Sequence, residues 1–161
     1  MPSGFAKPYP GDPSNGGPTG DDEMPADLTG RNILIADDDP EVLTTLRAAF
    51  EHNGAKVVTA NDGNKALDFA KRLDPDLIIL DMMMPRRSGF LVMETLKPNH
   101  EVGTRPFVIM ITANEGKRHE LYAKHLGVDD YVSKPFSVER LMESAAKLLN
   151  VTYVEPDQMR G

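Results

Sequence analysis

Residues 32–41 read Asn-Ile-Leu-Ile-Ala-Asp-Asp-Asp-Pro-Glu. The first five form a short apolar run with β-branched members, as expected of a strand buried on both faces. The run stops at three consecutive carboxylates, Asp37, Asp38 and Asp39. Asp39-Pro40-Glu41 then supplies a helix N-cap, a proline at the first helical position and an early acid. Val42, Leu43, Leu46, Ala49 and Phe50 recur at helical spacing, and Asn53-Gly54 ends the helix.

The same strand-then-helix unit repeats along the chain. Lys56 to Ala60 reads as a second strand, and Asn61-Asp62-Gly63 turns into a helix bearing Ala66, Leu67, Phe69 and Ala70. After the Asp74-Pro75-Asp76 turn, Leu77-Ile78-Ile79-Leu80 is a fully apolar third strand, followed by a helix over about Gly89 to Leu96. Phe107 to Ile111 is the fourth strand, and Leu121, Lys124 and Leu126 mark a helix closed by Gly127. Asp130-Tyr131-Val132 is a short fifth strand. Ser137 caps a last helix with Val138, Leu141, Ala145, Leu148 and Leu149 on one face. Apolar strands with helices between them imply a parallel sheet covered on both sides. Right-handed crossovers leave a doubly wound α/β fold, and the strand order 2-1-3-4-5 is its common five-stranded version, whose crevice lies at the carboxyl ends of the first and third strands.

Composition bounds the rest. The chain has 161 residues, enough for one domain with tails. It has no cysteine, which excludes a disulfide framework and thiolate zinc sites. The net charge of -7 disfavours nucleic acid as a partner. No apolar run reaches membrane-spanning length and no secretory signal is evident, so a cytoplasmic location with no membrane contact is expected. Residues 1–30 hold six prolines, six glycines and five acids, and read as a disordered acidic tail. A single domain is expected over 31–150, with a short polar tail over 151–161. Too few residues follow the last helix for a separate output module, so a stand-alone unit or a fragment of a longer protein is expected.

The unusual polar residues fall at one edge of this frame. Asp37 and Asp38 follow the first strand, Asp81 the third, Thr112 the fourth and Lys134 the fifth. Carboxylates held together need a cation to stay ionised. A hard divalent ion with oxygen ligands suits them, and Mg²⁺ needs only one or two carboxylates besides a phosphate. With Lys134 and a hydroxyl nearby, the site suits an incoming phosphoryl group, for which an ionised carboxylate is a competent nucleophile. Asp39 reads as a helix cap and Met82-Met83-Met84 as local packing. The histidines at 52, 100, 119 and 125 are too scattered for a metal site.

The segments Ile33-Leu34-Ile35-Ala36-Asp37-Asp38-Asp39-Pro40, Leu80-Asp81-Met82-Met83-Met84-Pro85 with Gly89, Ile111-Thr112-Ala113 and Tyr131-Val132-Ser133-Lys134-Pro135-Phe136 resemble the receiver domain of bacterial response regulators over about residues 31–149. The resemblance implies a phosphoacceptor switch of a two-component phosphorelay. Asp81 would accept the phosphoryl group, and Asp38, Asp81 and the Met83 carbonyl would ligate Mg²⁺, with Asp37 acting through water. Lys134, the Thr112 hydroxyl and the Ala113 amide would bind phosphoryl oxygens. Tyr131 would turn inward once Thr112 moves to the phosphate. A sensor histidine kinase or a histidine phosphotransfer protein would be the donor. A downstream protein would read the face formed by the fourth helix, fifth strand and fifth helix. Such a protein is not an enzyme in the usual sense, since it catalyses only its own phosphorylation and dephosphorylation. Met83 offers no group to orient an attacking water and Asn114 does, so self-dephosphorylation is expected to be slow.

Three other readings compete. An interaction module could keep the fold and ignore phosphate. An Asp-nucleophile phosphatase or mutase would want a second Asp two residues on, where Met83 stands. A flavin-binding module would want a phosphate loop where three aspartates stand.

Overall fold

The computed structural model describes residues 25–113 and 116–155. Five strands, β1 (Asn32–Ala36), β2 (Lys56–Ala60), β3 (Leu77–Asp81), β4 (Phe107–Thr112) and β5 (Asp130–Ser133), alternate with five helices. The helices are α1 (Pro40–His52), α2 (Gly63–Leu73), α3 (Gly89–Leu96), α4 (Lys117–His125) and α5 (Val138–Leu148). All strand pairs are parallel, as the alternation of patterns predicts, and the order is β2-β1-β3-β4-β5, the common five-stranded version expected above.

Successive strand residues point to opposite faces, and here both faces are apolar. Ile33, Ile35, Leu77, Ile79, Ile109 and Ile111 enter one core with Leu46 and Phe50 of α1 and Leu141 and Ala145 of α5. Leu34, Ala36, Ile78, Leu80, Val108 and Met110 enter the other with Ala66 of α2, Val92 and Met93 of α3 and Ala123 of α4. This is why β3 and β4, and β1 after Asn32, carry no polar residue until their carboxyl ends. Helix starts follow the local chemistry. Asp39, Asp62, Ser88 and Ser137 each cap a helix through a side-chain oxygen. Met82 and Met84 pack in the second core while Met83 is 65% exposed, so the methionine run serves packing except at its centre.

The domain boundaries differ from those read in the sequence. Ala26 and Leu28 are fully buried in the core under α1 and α5. The Leu28 amide donates to the Asn53 carbonyl at 2.7 Å, and the Val154 amide donates to the Pro25 carbonyl at 2.8 Å. Ala26 and Tyr153 form an antiparallel bridge. The packed chain therefore runs at least from Pro25 to Val154, beyond the limits drawn at 30 and 150. Two apolar residues among prolines and acids carry no period, so only the tertiary contact reveals them. The rest of the proposed tail, residues 1–24, lies outside the described residues, as do 156–161.

Candidate functional site

The sheet delivers its polar residues to one edge by prolonging its own ladder. The Asp37 amide donates to the Ala60 carbonyl at 3.1 Å, the Met82 amide to Ile111 at 2.9 Å and the Lys134 amide to Thr112. Asp37, Asp81, Thr112 and Lys134 thereby stand side by side at the carboxyl ends of β1, β3, β4 and β5. Carboxylate oxygens of Asp37, Asp38 and Asp81 all lie within 4.8 Å of one another. Asp37 and Asp81 are buried and Asp38 is exposed. Asp37 Oδ1 accepts from the Asp39 amide at 2.8 Å. Its buried Oδ2 has no hydrogen bond of acceptable angle and meets Lys134 Nζ as an ion pair at 2.9 Å. Lys134 Nζ also lies 3.7 Å from Asp81 Oδ2, and the Lys134–Pro135 bond is cis. The Met83 amide donates to Asp81 Oδ1 at 3.3 Å.

Burial and the neighbouring Asp37 carboxylate push the Asp81 carboxyl up to about 6, although Lys134 and the Met83 amide oppose the rise. Burial alone would depress the Lys134 ammonium. Its bond to Asp37 and the charges of Asp81 and Asp38 outweigh this and raise it. One lysine thus fails to neutralise three carboxylates. The donor set is all oxygen, with the buried Asp37 Oδ2 held only by the Lys134 ammonium, and this fits a hard divalent cation. Among the described residues, no other group of three or more His, Cys, Asp or Glu side chains has this geometry.

Thr112 is fully buried at the end of β4. Tyr131, buried on β5, shares a side-chain hydrogen bond with Thr112. Its ring packs in the second core. Burial raises the Tyr131 phenol above its ordinary value, and Glu120 adds to the rise. Ala113 is exposed beside Thr112, and Asn114 lies outside the described residues. Asp39 caps α1 by accepting from the Glu41 amide at 2.9 Å. Asp37, Asp38, Asp81, Thr112, Ala113 and Lys134 stand at this edge, while Tyr131 lies within β5 opposite Met110.

Two arrangements escaped the sequence reading. The loop between β3 and α3 is held against the start of α2 by Asp62, Gly63 and Asn64. At the opposite edge, Lys97 Nζ pairs with Asp129 Oδ2 at 3.0 Å, with both side chains nearly inaccessible. Neither Lys97 nor Asp129 stands in a motif, so no local signal marks the pair.

Five parallel strands wound 2-1-3-4-5, with three carboxylates and a lysine at the carboxyl edge, define a receiver-type α/β domain. The family model for the response regulator receiver domain matches residues 33–146, and the chain belongs to that family. Among solved structures, the receiver domain of the Francisella response regulator 1452 is 29% identical, with a TM-score of 0.69, and the match covers 75% of this chain and 98% of that one. The signal receiver domain of a putative LuxO repressor protein from Vibrio parahaemolyticus is 26% identical, with a TM-score of 0.68, covering 74% and 90%. The BeF3-activated DrrB receiver domain is 28% identical, with a TM-score of 0.66, covering 74% and 97%. No described helix is long and apolar enough to cross a membrane.

Proposed function

We propose that this receiver domain is the phosphoacceptor switch of a two-component phosphorelay in the cytoplasm, with Asp81 as acceptor. The observation that carries the proposal is the meeting of Asp37, Asp38 and Asp81 within 4.8 Å under the Lys134 ammonium. An Asp81 carboxylate oxygen attacks phosphorus in a phosphohistidine of a sensor kinase or a phosphotransfer protein. The P–O bond forms as the P–N bond breaks, and the imidazole leaves with the electron pair and takes up a proton. Asp38, Asp81 and the Met83 carbonyl would hold Mg²⁺, with Asp37 acting through water, and the ion would neutralise charge on the transferring group. Lys134 binds a phosphoryl oxygen, as do the Thr112 hydroxyl and the Ala113 amide.

Engagement of the Thr112 hydroxyl by the phosphoryl group replaces its bond to Tyr131 and biases the β4–β5 edge between two arrangements. The readout is protein–protein contact at the face of α4, β5 and α5. The domain is no enzyme toward an external substrate, because the group it transfers ends on its own side chain. The Met83 side chain has no hydroxyl, amide or carboxyl group to orient water at Asp81, so the aspartyl phosphate is long-lived.

The test is incubation with acetyl phosphate, with and without Mg²⁺, read by intact mass and phosphate-affinity gel beside Asp81→Asn. A Mg²⁺-dependent adduct absent from the variant is expected. No adduct in the wild-type protein would leave an interaction module that ignores phosphate.

A further inference from the structure

The loop from Met82 to Ser88 joins the acceptor strand to α3 and carries Met83, whose amide reaches Asp81. Its outer part is exposed: the Met83 side chain is 65% accessible, and so is most of the Arg86 side chain. Arg86 sits at φ 69°, in the left-handed region that a side chain of its kind rarely adopts. Such a conformation persists only where the surroundings fix it. Here the Arg87 amide closes the turn on the Pro85 carbonyl at 2.8 Å, and three consecutive residues at the start of α2 brace it. The Gly63 amide donates to the Pro85 carbonyl at 3.3 Å. Asp62 Oδ2 pairs with Arg86 Nε at 3.3 Å while its Oδ1 caps α2 through the Lys65 amide at 2.8 Å. Asn64 Oδ1 accepts from Arg87 Nε at 3.1 Å. A Cβ on Gly63 would collide with the Arg87 carbonyl, so the two segments meet backbone to backbone. At its far end the loop closes through the Gly89 amide on the Met82 carbonyl at 2.8 Å, where a Cβ on Gly89 would strike the Asp81 carbonyl.

We propose that Asp62, Gly63 and Asn64 form a positioning clamp that holds Pro85, Arg86 and Arg87, fixes the Met83 backbone beside Asp81, and so sets the affinity of the carboxylate site for Mg²⁺. This rests on the metal role given to Asp81 and Met83 above. None of the six clamp residues belongs to the carboxylate cluster of Asp37, Asp38 and Asp81. They act by selecting, before binding, the loop conformation in which the Met83 backbone faces the site.

Sign separates this role from simple electrostatics. Arg86 and Arg87 are cations near an acidic site. Removing either charge tightens divalent cation binding on Coulomb grounds alone. Removing a positioning contact weakens it. Asn64→Ala removes a contact with no change of charge.

The experiment is Mg²⁺ binding by titration calorimetry on the full chain, comparing wild type, Arg86→Asn, Arg87→Ala and Asn64→Ala, with urea denaturation of each. Asn at 86 tolerates the left-handed backbone, and Ala at 64 favours the helix, so neither variant threatens folding. The expected result is Mg²⁺ affinity lowered roughly three- to tenfold in each, with urea midpoints close to wild type. Unchanged or tighter binding in the variants, beside normal binding in the wild type, would overturn the clamp and leave the metal site standing. A wild-type protein that binds no Mg²⁺ would remove the metal site itself, and the clamp with it.

Discussion

Replacing Asp81 with Asn should stabilise the metal-free protein, although it destroys the proposed acceptor. The Asp81 carboxyl is buried, crowded by Asp37 and raised from its ordinary 3.8 to about 6. A carboxyl group whose pKa rises on folding carries no penalty below its unfolded value. Its penalty grows as pH rises through the window from 3.8 to about 6 and is complete above it. At 1.36 kcal/mol per pH unit, that window corresponds to an upper limit of about 3 kcal/mol, and solvent at the rim of the crevice brings the expected value to about 1–3 kcal/mol. An amide of the same shape has no charge to bury. Urea denaturation without Mg²⁺ at pH 7.5 should therefore give Asp81→Asn a higher midpoint than the wild type, and the difference should shrink toward zero at pH 4. Added Mg²⁺ should narrow the difference. The ion binds the folded wild type and adds about 1.4 kcal/mol at ten times its dissociation constant, with less for the variant. A variant less stable than the wild type at pH 7.5 without metal would refute the reasoning. So would a difference that does not change with pH, since it would mean Asp81 is comfortably ionised in the apo site.

Other predictions follow from the same geometry. Met83→Asn should shorten the lifetime of the aspartyl phosphate several-fold, followed by loss of the mass adduct after the donor is removed; equal decay would count against Met83 as the reason for slow hydrolysis. Asp129→Ala should cost about 3–5 kcal/mol in urea denaturation, because it leaves the Lys97 ammonium buried without its carboxylate partner and frees the amides of Gly103 and Val108. Leu28→Ala should cost about 2–4 kcal/mol, because Leu28 is fully buried; a loss of a few tenths would place residues 25–30 outside the folded unit after all. In an alkaline absorbance titration, the Tyr131 and Tyr153 phenols should both ionise above their ordinary value of 10, and Tyr131→Phe should reduce the amplitude of that late phase without abolishing it.

Much of this molecule is legible in the chain because its central strands are apolar on both faces. Residues 33–36, 77–80 and 108–111 are apolar without alternation, which excludes a half-exposed sheet. With capped helices between them, only a parallel, doubly covered sheet satisfies the pattern. The same logic makes the site visible. Where a strand is buried on both faces, its first polar residues mark its carboxyl end, and Asp37, Asp81, Thr112 and Lys134 fall there in register. Asp39 was legible as a cap because capping is a local contact between neighbours in the chain.

Tertiary structure alone decided the rest, and in each case the deciding contact joins segments far apart in sequence. Asp62 and Arg86 meet because α2 leans on the loop after β3. Lys97 and Asp129 meet because the amino ends of β4 and β5 lie together. Ala26 and Leu28 become core because the chain on either side of the domain closes over α1 and α5. Ionisation belongs here too. The composition shows an Asp at position 81, but only its burial beside Asp37 raises it to about 6. Periodicity and caps are properties of neighbours along the chain, whereas desolvation and ion pairing depend on distances in space that the fold sets.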